Sequence, residues 1–333
     1  MDLATSLIDQ GDEVRICTRA GDLQDDFRRR GIETYKVKYN PFSYRKLLAF
    51  LREYDPDLVH IQSLRSLTLG RRLAGRIRKP YVVTVHRRPG PSAPQLRAGR
   101  LRGVIVLNEL IREALVNDQA LAKNLIRVIR RGVRIIKARP EPSSAPRKRI
   151  PVVGSVGRLS WDKGHHCLIA AAAKVLERGV EAHFAIVGEG EEESRLRALV
   201  KDLNLEYHVT FSPHISKRRD LYGLFDIVAL PVLSSGVGVT AIEAMSMGKP
   251  LVASAVGEML HLVQDGRTGL LVAESDSDEL ADRIIQLIEN PALMGELGRQ
   301  GRSWVEENFV LEPMVNATRN YYEEVLSGLG EEL

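Results

Sequence analysis

"VVGSVGRLSWDKG", Val152 to Gly164, decides the fold. Val152 to Val156 are β-branched or small and read as a buried strand that runs into Gly157. Arg158, Lys163 and Gly164 follow in the loop. That loop leaves the carboxyl end of a strand, where open α/β sheets bind ligands. Arg158 offers a planar fork of donors and Lys163 a point charge, a pair suited to a diphosphate. Two surface cations flanking a turn are the plainer alternative.

Beyond this stretch the pattern repeats. PVVGSVG, HFAIVG, HVTF, DIVALP, PLVAS and TGLLV read as buried strands, with helical segments such as HHCLIAAAAKVLER and EEESRLRALVKDL between most of them. Such alternation predicts parallel strands with crossover helices. Upstream, EVRICT, DLVHI, YVVTV, GVIVL and LIRVI repeat the theme more weakly. KARPEPSSAPRKR, Lys137 to Arg149, is rich in proline, serine and charge and reads as a linker. The first half opens on helical spacing at Leu3, Ala4, Leu7 and Ile8, closed by Gly11. A doubly wound domain normally opens with a strand. Its first strand and phosphate-facing loop are therefore expected to be missing from the chain as given.

With 333 residues and 44% apolar content, the chain has material for two globular domains and is not disordered. Cys17 and Cys167 make no disulfide framework, so a reducing compartment is expected. No apolar run reaches the ~18 residues of a membrane span, and MDLATSLIDQGDEV lacks the regions of a signal peptide. The expected location is cytoplasmic or peripheral on the inner face of a membrane. Net charge is uneven. Residues 1–150 hold 32 Lys and Arg against 15 Asp and Glu, a balance of +17, and the rest of the chain balances at −12. A basic half suggests an anionic partner, either acidic lipid or a phosphorylated acceptor. Solvated surface arginines are the plainer account. Nucleic acid is not expected, because the basic half lacks interleaved aromatics and any recognised module.

Two further segments bear on phosphate chemistry. In AIVGEGEEESRL a strand ends at Gly188 and Gly190 is expected to open a helix, although a Gly-x-Gly turn is a weak signal. In SSGVGVTAIEAMSM a glycine-bearing loop enters a helix, and the free N–H groups of Gly238, Val239 and Thr240 can hold an anion. Glu243 lies one turn into that helix among Ala241, Ile242, Ala244, Met245 and Met247. A carboxylate in apolar company needs hydrogen-bond donors, and a ribose diol supplies two. His165, His166 and Cys167 have no partner at zinc-ligand spacing and read as helix surface and core.

GRLSWDKG, IVGEGEEESRL, DLYGLFDIVALP, GVGVTAIEAMSMGKPLVASAVG and DGRTGLLV fall in order between residue 152 and about 272. Together they resemble the C-terminal domain of the retaining GT-B glycosyltransferases of family 4. GDEVRICT, PDLVHIQS, YVVTVH and GVIVLN extend the likeness loosely through the first half. The resemblance implies an α/β fold with two Rossmann-like domains facing across a cleft. Residues 1–136 would form the acceptor-side domain, 137–149 the linker and 150–310 the nucleotide-sugar domain, with 311–333 a helix crossing back to the first.

It also implies roles. Arg158 and Lys163 would bind the donor diphosphate and stabilise the leaving group, and His86 would reach the transferred sugar. Gly157, Gly188, Gly190, Ser235, Gly236, Gly238, Val239 and Thr240 would line the donor site, with Glu243 on the ribose hydroxyls. No metal and no cofactor are expected, since the cations replace a metal and the nucleotide sugar is a substrate. Asp55-Pro56-Asp57 imitates a metal motif of another transferase fold but stands here as the turn before a strand.

Departures from the family pattern are as informative. Ser235 replaces the acid that contacts the donor sugar. Glu258 follows Val256-Gly257 where a second glycine is usual, and His261 stands at an acidic position. Arg131-Gly132-Val133-Arg134 takes the place of Asn-Gly-Val-Asp. The expected function is retaining transfer of a sugar from a nucleotide-diphosphate donor in envelope polysaccharide, lipopolysaccharide or glycolipid synthesis. The alternative is a non-catalytic relative that binds a nucleotide or a partner.

Overall fold

The computed structural model describes residues 2–19, 27–37, 41–90, 93–96, 99–135, 149–213, 218–234 and 238–328. The chain forms two compact units. One comprises Met1–Gly132 with Leu311–Leu333, and the other Val133–Val310.

The first unit opens with helix α1 (Asp2–Asp9), after which Gly11 turns in the left-handed region at φ +93°. Strands β1 (Ile16–Arg19) and β2 (Thr34–Val37) pair in parallel. β2 was not expected: Thr-Tyr-Lys-Val is partly polar and its residues are half-buried or exposed, so no apolar run marks it. Helix α2 (Pro41–Tyr54) leads through Asp55 (φ 48°) to β3 (Val59–Ile61). Asp55 pairs with Lys79 at 3.0 Å.

Helix α3 (Leu67–Ile77), β4 (Tyr81–Val85), β5 (Leu101–Val106), α4 (Glu109–Gln119) and β6 (Ile126–Val128) complete this part of the chain. β3 to β6 form a parallel sheet in sequential order. Every residue of β4 is buried, as a parallel strand covered on both faces must be. α4 is capped by Asn108, whose Oδ1 accepts from Ile111 N–H at 2.9 Å.

The second unit runs β7 (Val152–Val156), α5 (His165–Glu177), β8 (His183–Val187), α6 (Glu193–Asp202), β9 (Val209–Ser212) and α7 (Arg218–Gly223). It continues with β10 (Ile227–Leu230), α8 (Gly238–Ser246), β11 (Leu251–Ser254), α9 (Met259–Leu262), β12 (Leu270–Val272), α10 (Ser277–Glu289) and α11 (Pro291–Asn308). The six strands are parallel in the order β12-β11-β10-β7-β8-β9. The chain winds outward from β7 through β8 to β9, returns to β10 beside β7, and winds the other way. The loops after β7 and β10 therefore diverge at the carboxyl edge, which makes this the switch point where such sheets take ligands. Two apolar layers cover the sheet, one with Leu168, Ile169 and Ile284, the other with Tyr222, Ile242 and Met245. Of the linker expected at 137–149, only Arg149 lies within the described residues, and it pairs with Asp226.

Helix α12 (Leu311–Ser327) belongs to the first unit. Leu311 and Val315 pack with Leu7 of α1, and Tyr321 and Val325 with Val82 and Ile105 of the sheet. Tyr321 Oη donates to the carbonyl of Leu125 at 2.9 Å, and Arg319 holds Asp12 at 3.0 Å. Among the described residues no helix is long and apolar enough to cross a membrane.

Candidate functional site

Two loops at the carboxyl edge of the second unit lie against each other. Gly157 N–H donates to Val187 O at 3.0 Å, Leu159 N–H to Glu189 O at 2.9 Å, and Glu192 N–H to Leu159 O at 3.0 Å. Only glycine permits this approach. Gly188 sits at φ +151°, and a Cβ there would lie 1.8 Å from Gly157 O, while one on Gly190 would lie 2.2 Å from Leu159 O. α6 starts at Glu193, so Gly190 does not open it. Its close contact with the first loop holds it short of the helix, and Glu191 and Glu192 make the turn between. Val156, Gly157, Arg158, Val187, Gly188, Glu189 and Thr240 enclose a polar hollow of about 300 Å³.

Arg158 is exposed at the rim and is engaged by Glu191, whose Oε2 accepts from Nη2 at 2.9 Å and Nε at 3.2 Å. Lys163 ends a single 3₁₀ turn, Trp161–Lys163, and its stem passes under Gly157, with Cγ 3.9 Å from where a Cβ would stand. Its ammonium is 3.1 Å from Asp162 Oδ2. Burial works to raise the Asp162 carboxyl, but hydrogen bonds from Ser160 and Lys163 outweigh it and hold the group below its ordinary value.

His165, read from the sequence as helix core or surface, has a specific task. It is buried and its pKa is pushed down to about 4, chiefly by burial. The neutral ring donates from Nε2 to the carbonyl of Arg158 at 3.2 Å, and Nδ1 meets Ser155 Oγ at 3.3 Å. It thereby ties the Arg158 backbone to β7. The signal available in sequence was a histidine just after Lys163-Gly164. His166 stacks on Trp161 with centroids 4.0 Å apart, and Arg195 covers Trp161 at 5.1 Å.

The third element is α8. Thr240 lines the hollow, and Gly238 and Val239 form the first residues of the helix, where backbone N–H groups have no intrahelical acceptor. A Cβ on Gly238 would stand 2.3 Å from Glu258 Oε2, so this carboxylate lies against the positive end of α8. Glu243 is half-buried, and Tyr222 Oη donates to its Oε2 at 3.0 Å. Tyr222 stands in the stretch DLYGLFD and had no predicted role. Ser235 and Gly236 lie outside the described residues.

His86 belongs to the first unit, at the end of β4. Its Nε2 donates to Gln62 O at 2.8 Å, and Arg131 Nη2 approaches Nδ1 at 3.4 Å. Burial, then the Arg131 charge, lowers its pKa, so the ring is neutral near pH 7. Arg131 Nε is buried with no hydrogen-bond partner. Behind His86, His60 is half-buried, and desolvation first and then His86 push its pKa down to about 3. It bridges Thr84 Oγ1 at 2.7 Å and Tyr322 Oη of α12. Among the described residues no three His, Cys, Asp or Glu side chains converge as a metal-binding group.

Solved structures share this architecture. Anabaena HepE in complex with UDP and glucose superposes with a TM-score of 0.84 at 22% identity, over 97% of this chain and 94% of its own. The two-unit α/β fold is that of the GT-B glycosyltransferases. The glycosyl transferases group 1 profile matches residues 138–304 and the glycosyltransferase family 4 profile residues 1–136, and the chain belongs to the glycosyl transferases group 1 family. The 2-deoxystreptamine glucosyltransferase of Streptomyces kanamyceticus is 26% identical over 307 residues, 83% of this chain and 79% of its own length. The GDP-mannose-dependent monoacylated alpha-(1-6)-phosphatidylinositol monomannoside mannosyltransferase of Corynebacterium glutamicum is 31% identical over 194 residues, 54% of this chain and 51% of its own length.

Proposed function

We propose that the chain transfers a glycosyl group from a nucleotide-diphosphate sugar to an acceptor, with retention at the anomeric carbon. One observation carries the reading: Gly157, Arg158, Gly188 and Thr240 meet around a single hollow at the switch point of the second sheet. The first-turn N–H groups of α8 and the Arg158 guanidinium at this hollow suit a diphosphate.

In this reading the diphosphate sits against the N-terminus of α8, and Arg158 and Lys163 take up the negative charge that grows on it as the glycosidic bond breaks. The two cations do the work that a metal does in other transferases. Glu243, held by Tyr222, accepts from the ribose hydroxyls. His165 is a positioning residue: it fixes the carbonyl of Arg158 and so the path of the loop. His86, neutral and with Nε2 already donating to Gln62 O, would accept a hydrogen bond from the transferred sugar at Nδ1. Positioning and charge stabilisation are the whole of the catalysis proposed.

A cell-envelope glycan or glycolipid acceptor fits the basic first half, and the Corynebacterium relative is named for a phosphatidylinositol mannoside. The UDP and glucose bound to Anabaena HepE support a nucleotide-sugar donor.

Calorimetry of UDP and GDP with Lys163→Ala tests the site. Loss of a charged hydrogen bond to phosphate costs about 1.5–3 kcal/mol, and unchanged affinity overturns the assignment. The anomeric configuration of the product, read by NMR, tests retention. Tight binding of nucleotide sugar with no turnover in any acceptor mixture would favour the non-catalytic reading, which Ser235 and Glu258 motivate.

A further inference from the structure

Strand β11 lies beside β10 in the sheet, so the loop that leaves β11 runs next to the start of α8. Gly257 turns this loop at φ +52°, and Glu258 follows at the head of α9. Met259 and Leu262 of α9 are buried in one apolar layer with Ala241 and Ile242 of α8, which fixes the two helix starts against each other. Glu258 is half-buried, and its side chain makes no capping bond to its own helix. It is directed instead at Gly238, where the absent side chain leaves the room that Oε2 fills.

Other acids around the hollow are engaged elsewhere. Glu191 holds Arg158, Asp162 holds Lys163, and Glu243 accepts from Tyr222. Glu189 is exposed at the rim, on the loop after β8. The chain that leads into α8, residues 231–238, contains no acid. The carboxylate at the first turn of α8 therefore comes from the loop of the next strand.

A carboxylate only accepts hydrogen bonds, and it repels a phosphate. Beside a diphosphate seat it is suited to a part of the ligand that donates and carries no charge. Two such parts adjoin the diphosphate of a nucleotide sugar: the ribose on one side and the transferred sugar on the other. Glu243 stands five residues beyond Gly238, about 7.5 Å along the helix axis. The two carboxylates thus bracket the start of α8. With Glu243 on the ribose, Glu258 is left for the other sugar.

We propose that Glu258 binds the transferred sugar of the donor by accepting from its hydroxyls, and that it selects neutral sugars over uronates, whose carboxylate it repels. The inference rests on the donor-site reading above, though not on turnover.

The test is calorimetry of UDP, UDP-glucose, UDP-glucuronate, GDP and GDP-mannose with the native chain, Glu258→Gln and Glu258→Gly. Of UDP-glucose and GDP-mannose, the one that the native chain binds better should lose about tenfold in affinity in both variants, the worth of a hydrogen bond to a charged group. Its bare nucleoside diphosphate should keep its affinity or gain slightly, because a negative charge beside the phosphates is gone. UDP-glucuronate should bind the native chain more weakly than UDP-glucose, and the gap should shrink in Glu258→Gln. Thermal melts confirm that each variant is folded. Equal loss on bare nucleotide and nucleotide sugar, equal gain on both, or no change on either would overturn the proposal. The first would make Glu258 a structural residue and the second a competitor for the phosphate seat. Failure of the native chain to bind UDP and GDP at all would overturn the donor-site reading itself, and this inference with it.

Discussion

Tyr222 Oη donates to Glu243 Oε2 at 3.0 Å, from a tyrosine that is itself completely buried. A carboxylate near the start of a largely apolar helix thus has a donor supplied by the core beneath it. One of its oxygens is held, and the group is oriented before any ligand arrives. Tyr222→Phe removes that donor while keeping the ring. Binding of a ribonucleoside diphosphate should weaken by about 1 kcal/mol, the usual worth of such a bond. A 2′,3′-dideoxynucleoside diphosphate should bind the variant and the native chain equally. An equal loss on both ligands would mean that Glu243 does not serve the ribose.

Arg158 is shared with Glu191. Both are well exposed, so the pair contributes little to stability. Its effect falls on binding, because a diphosphate must displace the carboxylate. Glu191→Gln should tighten UDP or GDP binding by up to about fivefold at low salt, with the gain fading as salt screens it. Weaker or unchanged binding at low salt would show that Arg158 does not meet the phosphates.

His165 makes the protein sensitive to acid. Burial depresses its folded pKa to about 4 from the ordinary histidine value of about 6.5, so the unfolded chain takes up a proton first as pH falls. Its contribution is complete above pH 6.5 and is lost as pH drops from 6.5 toward 4. A depression of this size corresponds to about 3 kcal/mol for a buried group. Tm measured across this window should fall, and His165→Gln, which keeps a donor but does not titrate, should flatten the slope. His60 adds a slope of the same sign that extends to about pH 3. A His165→Gln profile parallel to the native one would remove His165 from the account.

Gly103 faces Tyr321 of α12: a Cβ there would stand 2.4 Å from Tyr321 Oη. Gly103→Ala must push the ring away and break its hydrogen bond to Leu125 O. Overpacking of this kind costs about 1–3 kcal/mol. Tm should fall, and amide exchange should rise in α12 first. Pairing the change with Tyr321→Phe should recover little, since the ring still collides.

Much of this was legible in sequence because it depends on short-range pattern. The six strands of the second sheet each show as a run such as Val152–Val156 or Ile227–Leu230. A fully buried strand must be apolar along its length. β2 escaped because Thr34–Val37 is half-exposed and carries Lys36, which leaves no run to see. Gly190 was misread because a glycine before a helical pattern signals a start, whereas its packing against Leu159 O is a contact across the chain.

The amino-acid sequence by itself determined the alternation of strands and helices, the glycines that let the loops close up, and the choice of Arg158, Lys163 and Glu243 as candidate residues. These follow from side-chain type and spacing, which act over a few residues. Only the tertiary structure decided that Glu191 holds Arg158, that His165 fastens the Arg158 carbonyl, that Tyr222 orients Glu243 and that Glu258 lies at the first turn of α8. Those partners are brought together by the order of the strands in the sheet. Hydrogen bonds act over about 3 Å of space whatever the distance along the chain.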